Sequence, residues 1–135
     1  MFHFEEITCV NVESNNGGSL LAINGLDSLP FSIKRIFLIS NTNREEIRGR
    51  HAHKKCWQSL LVTQGLVKVT SIKYKTLDKS ESKVNSSSGL FIIPPLTWIE
   101  IQILQAHSQI LVFASEPYLE NDYIRDFNLF QSGVE

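Results

Sequence analysis

The sequence has only two cysteines, Cys9 and Cys56, and no C-x-x-C spacing. A disulfide framework is therefore not expected; two free core thiols in a reducing compartment are. Long apolar runs are missing as well, since none approaches the roughly 18 residues that a membrane-spanning helix needs. The opening Met1-Phe2-His3-Phe4-Glu5-Glu6 lacks a basic stretch followed by an apolar one, so no secretory signal is read there and a cytoplasmic protein is expected. Charge of one sign is lacking too. With a net charge of -1, nothing in the chain as a whole recruits nucleic acid or an acidic membrane. An anionic ligand would have to be held by a local group of basic side chains.

What is present is strand after strand. A chain of 135 residues, 42% of them hydrophobic, can close a real core, and a single domain over 1–135 is expected. Leu20–Ile23 is an apolar run behind the turn Asn15-Asn16-Gly17-Gly18. Phe31, Ile33, Arg35, Phe37 and Ile39 alternate, so one strand face carries four apolar groups and an arginine. Ser59–Thr63 and Leu66–Tyr74 read as a hairpin about Gly65, and Leu90–Ile93 stops at Pro94-Pro95. Ile99, Ile101 and Ile103 alternate with Glu100 and Gln102, and Ile110–Ala114 is a short apolar strand. The Ser- and Lys-rich stretch Lys79–Ser88 reads as an exposed loop. Helical spacing is confined to Glu120–Phe130, where Tyr123, Phe127 and Phe130 form a stripe. Many short strands with one short C-terminal helix indicate an all-β sandwich or closed barrel.

The chemistry centres on Arg48-Gly49-Arg50-His51-Ala52-His53. Residues i and i+2 of a strand share a face, so His51 and His53 enter the same space. Inside a barrel, two imidazoles that titrate near neutrality suit proton transfer or metal ligation. On an edge strand they would be two solvated side chains. Gly49 before the pair and Gly65 after it outline the first motif of cupin barrels, but Trp57 stands where metal-binding cupins have a glutamate. No histidine lies near Trp98-Ile99-Glu100 either. Two nitrogens fall short of the three protein ligands usual for a catalytic zinc, so no metal is expected.

Arg48-Gly49-Arg50-His51-Ala52-His53-Lys54-Lys55, with Gln58 behind it, resembles the signature of the dTDP-sugar 3,4-ketoisomerases, which are metal-independent cupins. Gly18-Ser19-Leu20, Pro30–Arg35, Pro94-Pro95 with Trp98 and Glu100, Ala114-Ser115 and Asp122-Tyr123-Ile124-Arg125-Asp126 resemble family segments in the same order. The resemblance implies a jelly-roll (double-stranded β-helix) cupin barrel and a homodimer with exchanged strands. It implies conversion of a dTDP-4-keto-6-deoxyhexose to its 3-keto isomer without a cofactor, in the making of amino-deoxy sugars. His51 and His53 would carry the protons. Arg35 and Arg48 suit the diphosphate, because a guanidinium forks onto phosphate oxygens; Arg35 could instead sit in a buried ion pair. Lys34, Gln58, Trp98 and Glu100 complete the expected substrate contacts, with Gln58 either bonding the sugar or satisfying a backbone group. Lys54 and Lys55 read as surface charges.

Four positions depart from the family pattern. Gly17 stands where the family carries an arginine or tyrosine, Phe37 and Leu38 where tyrosines line the pocket, Ile99 where a polar residue sits, and Trp57 where an acidic one does. These changes make a more apolar pocket. They leave a second reading open, a nucleotide-sugar-binding or partner-docking module that has lost turnover.

Overall fold

The structure is a computed structural model and describes residues 7–133. The strands are β1 (Thr8–Glu13), β2 (Ser19–Asn24), β3 (Arg35–Ile39), β4 (Ile47–His53), β5 (Gln58–Gln64), β6 (Val67–Lys73), β7 (Lys79–Val84), β8 (Phe91–Ile93), β9 (Thr97–Ile103), β10 (Gln109–Ala114) and β11 (Tyr123–Ile124). One helix, α1 (Phe127–Ser132), follows them. β1 and β2 form a separate antiparallel hairpin. The other strands make a four-stranded sheet, in the order β3-β10-β5-β8, and a five-stranded sheet, in the order β11-β4-β9-β6-β7. Between the two sheets lies one core that includes Leu60, Val62, Val67, Val69, Ile99, Ile101, Ile103, Ile110 and Val112. Inward residues alternate with outward ones along these strands, as two sheets sharing a core require. This is the jelly-roll arrangement expected of a cupin. No helix among the described residues is long and apolar enough to cross a membrane.

The in-and-out alternation read in Phe31–Ile39 holds, although only Arg35–Ile39 is strand; Phe37 and Ile39 pack on the core and Ile36 and Leu38 are exposed. Leu38, though exposed and pointing away from the core, still borders the same cavity as Phe37. Gly65 turns β5 into β6 at a φ of 90°, where a Cβ would lie 2.1 Å from the Ser108 hydroxyl oxygen.

Two elements differ from the sequence reading. Lys79–Val84 is a strand, β7, paired along β6 from Val67↔Val84 to Ile72↔Lys79. It is the edge of its sheet, and edge strands are commonly dressed in charged and polar residues that look like loop sequence. The helix is also shorter than its apolar stripe suggests. Tyr123 and Ile124 pair with His53 and Ala52 as a strand, and the helix starts only after Asp126, whose side chain caps the Asn128 and Leu129 N–H groups. Phe127 and Phe130 do pack inward, against Trp98.

β4 carries the histidines and contains a bulge. Its register to β9 runs Gly49↔Glu100 and then His51↔Ile99, leaving Arg50 unpaired. Gly49 has a φ of 84° and Arg50 one of 58°. A glycine in this left-handed region is the usual first residue of such a bulge, and a Cβ there would meet the Ile99 carbonyl oxygen at 3.0 Å. The extra residue re-aims the end of β4, so that His51 and His53 both turn toward the interior.

Candidate active site

His53 is buried, and its Nδ1 lies 3.0 Å from Asp122 Oδ2. Asp122 is buried as well and accepts from the Lys55 N–H at 2.8 Å and the Cys56 N–H at 3.3 Å. A carboxylate fixed by two backbone donors and facing Nδ1 selects the tautomer in which Nδ1–H donates to it, leaving His53 Nε2 as an acceptor. That Nε2 is buried without a partner, and so is His51 Nδ1. The two rings stand edge to face with centroids 4.9 Å apart. A carboxylate, an imidazole with a free lone pair and a second imidazole thus follow one another toward the barrel mouth.

Tyr123 lies against both histidines, with centroids 5.1 Å from His51 and 4.2 Å from His53. Arg35 Nη2 donates to the Tyr123 hydroxyl at 3.4 Å, while Arg35 Nε is buried with no partner. The guanidinium also lies over the rings of Phe37 and Tyr118, 5.1 and 5.6 Å from their centroids. Among the described residues it has no carboxylate partner. On the other side of Tyr123, Arg125 stacks at 4.2 Å and forks onto Glu120 at 2.8 and 2.9 Å, and Tyr118 donates to the same carboxylate.

Burial, and then the positive charges of His53, Arg125 and Arg35, push the His51 imidazole down to about 4. Burial also lowers His53, against the upward pull of its hydrogen bond and charge contact with Asp122. Both rings are accordingly neutral near pH 7. Stability should follow. An unfolded histidine binds its proton near pH 6.5 and folded His51 only near 4, so unfolding takes up a proton between these values. The contribution is full above about pH 6.5 and is lost as pH falls toward 4. Urea melts at pH 7 and pH 5 should separate by less in His51→Asn than in the wild type; equal separations would refute the shift.

A cavity of about 480 Å³ opens beside His51, lined by Phe37, Arg48, Gln58, Ile99, Tyr123 and Arg125 among others. Of the residues singled out in the sequence, His51, Arg48 and Gln58 are brought to it, with Arg48 also paired to Glu46 at 3.2 Å. His53 lies behind His51, and Arg35 reaches the site through Tyr123. Lys34 is exposed and 3.9 Å from Glu116. Trp98 is buried against α1 and donates to Glu100 at 3.0 Å, on the face of β9 opposite to Ile99; neither lines this cavity. Trp57 stacks on Phe31 at 6.2 Å. The residues that sequence reasoning did not single out for the site are Asp122, Tyr123, Arg125, Tyr118 and Glu120. The Asp122–Arg125 segment was legible as a motif, but its register against β4 was not. Tyr123 changes the picture drawn from Phe37: a phenol is present beside the imidazoles, carried by a different strand.

Residues 2–135 match the FdtA family, described as WxcM-like, C-terminal. The chain belongs to that family. It is 38% identical over 122 residues to a TDP-4-oxo-6-deoxy-alpha-D-glucose-3,4-oxoisomerase of Aneurinibacillus thermoaerophilus, covering 87% of this chain and 83% of the relative. Among solved structures it is similar to a 3,4-ketoisomerase from Helicobacter canadensis, with a TM-score of 0.78, 31% identity and 92% and 91% of the two chains covered. It is also similar to QdtA, a sugar 3,4-ketoisomerase from Thermoanaerobacterium thermosaccharolyticum solved with TDP, with a TM-score of 0.78, 29% identity and 96% and 95% covered.

Proposed function

We propose that this FdtA-family chain is a sugar-nucleotide 3,4-ketoisomerase that acts on a dTDP-4-keto-6-deoxyhexose. The observation that carries this reading is His51 at the cavity wall with His53 and Asp122 lined up behind it. The hydrogen on C3 is α to the C4 carbonyl. A neutral imidazole takes it, the electrons move onto the C4 oxygen, and an enediol forms. Moving the C3 hydroxyl proton to the C4 oxygen and returning the abstracted proton, or one from solvent, to C4 completes the 3-keto isomer, with no electrons gained or lost overall. His51 is the base at C3. His53 is the second proton carrier, its Nε2 accepting from the ring that has been charged, and Asp122 is the positioning residue that keeps Nδ1–H turned away. Tyr123 offers the hydroxyl for the sugar oxygens.

Arg35, Arg48 and Arg125 supply positive charge for the diphosphate at the same mouth. A bound diphosphate would offset the smaller, electrostatic part of the depression of His51, and would leave the larger part, burial, in place. Phe37 and Ile99 give the cavity an apolar wall, which suits the 6-deoxy carbon. Lys34, Trp98 and Glu100, expected from the sequence as substrate contacts, do not line the cavity and have no part in this reading.

The functional unit is a homodimer with exchanged strands. In its support, the β1–β2 hairpin leaves Val10, Val12 and Leu20 exposed, and β3 leaves Ile36 and Leu38 exposed. A two-stranded hairpin is marginal alone and gains by covering such faces. The free thiols Cys9 and Cys56 suit a cytoplasmic setting.

The test is proton exchange. Incubated in D2O with a dTDP-4-keto-6-deoxyhexose, the protein should exchange the C3 hydrogen and accumulate the 3-keto isomer, both visible by NMR. TDP binding with no exchange would make it a binding module; neither binding nor exchange would remove the substrate class altogether.

A further inference from the structure

The proposed reaction leaves one buried sulfur unused. Cys56 is 2% exposed and lies in the connection Lys54–Trp57 between β4 and β5. Its Sγ, a ring nitrogen of His53 and a carboxylate oxygen of Asp122 all lie within 4.8 Å of one another. His51, the other histidine of the pair, is not part of this group. We propose that His53 Nδ1, Cys56 Sγ and Asp122 form a binding site for a borderline-soft divalent cation of the zinc class, and that filling it switches the isomerase off. The binding half stands on the donor geometry alone; the inhibitory half rests on the reading of His53 given above.

Three donors of different chemistry favour this ion over calcium or magnesium, which take oxygen ligands. Zinc–nitrogen, zinc–oxygen and zinc–sulfur bonds of about 2.0–2.3 Å put neighbouring ligand atoms about 3.3–3.7 Å apart, so the donors need close by only about 1 Å. Charge also balances. A thiolate and a carboxylate cancel the 2+ of the ion, and the third ligand is neutral, so a buried complex carries no net charge. Three protein ligands leave a fourth position for water. Lys54 and Lys55, directly before Cys56, are exposed, so the site lies just beneath the surface.

The proton ledger gives the inhibition. In the free protein the Cys56 thiol faces the Trp57 carbonyl oxygen at 3.2 Å, and Nδ1–H of His53 faces Asp122. The ion bonds to Sγ, Nδ1 and a carboxylate oxygen; the thiol proton leaves to solvent, and the Nδ1 proton moves to Nε2. Nothing is oxidised or reduced. His53 Nε2, the unpartnered acceptor of the proposed relay, is thereby turned into a donor, and the relay is blocked.

Cobalt(II) titrated into the full-length, metal-free protein reports the thiolate directly. We expect a cobalt–thiolate charge-transfer band saturating at one ion per chain, kept in Cys9→Ser and lost in Cys56→Ser. Absence of the band, or an equal band in Cys56→Ser, overturns the site. Zinc should in turn inhibit isomerisation reversibly, with chelator restoring the rate. Cys56→Ser, which keeps the backbone donor to Asp122, should need at least tenfold more zinc relative to its own metal-free rate. A cobalt band without inhibition would overturn the switch and, with it, the assignment of His53 as a proton carrier, while the site itself stood.

Discussion

Replacing His51 by asparagine should lower kcat on a dTDP-4-keto-6-deoxyhexose by about 100- to 10,000-fold, the range that positioned acid–base groups contribute. Asparagine matches the imidazole in size and hydrogen-bonds, but it does not take a proton from carbon. His51 is the imidazole that lines the cavity, beside Phe37 and Ile99, and it is neutral near pH 7 and so free to accept a proton. TDP affinity should change by less than about threefold, because the arginines remain. Loss of C3 exchange with intact TDP binding, measured by NMR and calorimetry on the same preparation, is the expected signature. A variant that still turned over within tenfold of wild type would move the base elsewhere, with Tyr123 the next candidate.

Changing Asp122 to asparagine should cost nearly as much, through His53 rather than through substrate. The carboxylate accepts from three donors: His53 Nδ1–H, the Lys55 N–H and the Cys56 N–H. An amide keeps one accepting oxygen. If that oxygen stays on the backbone donors, its NH2 faces Nδ1, and the ring must carry its proton on Nε2. The same change in other carboxylate–histidine pairs costs up to about 10,000-fold through the wrong tautomer. Some stability will also go, about 1–3 kcal/mol for a buried donor left unpaired. Stability alone does not invert a tautomer, so 15N imidazole shifts separate the two effects. Proton on Nε2 in Asp122→Asn, with partial rescue of rate by Asp122→Glu, supports the positioning role. An unchanged tautomer with a normal kcat would reduce Asp122 to a loop anchor.

The two misread segments share a cause. Lys79–Val84 has the composition of a loop because an edge strand needs no apolar outer face, and its pairing energy comes from β6, which the local sequence does not contain. Tyr123 falls on the stripe of Phe127 and Phe130, yet the backbone there hydrogen-bonds to β4 and not to its own next turn. In both places a long-range pairing overrides a local pattern.

The histidine pair was legible because a strand's period of two is a local property, and so was the absence of a third ligand from the same motif. An all-β sandwich or barrel was legible for the same reason, since turns, alternation and short strands are written along the chain; the jelly-roll cupin class and the family came from the resemblance of its motifs. Depth was not. That His51 faces the cavity while His53 sits behind it depends on one unpaired residue, Arg50, in the register of β4 against β9. That Asp122 holds His53 depends on a contact between residues 69 positions apart. Sequence alone determined which groups could move protons. Only the tertiary structure decided which nitrogen of which ring is free to do so, because tautomer and burial are set by partners that lie far apart in the sequence and meet where β11 pairs with β4.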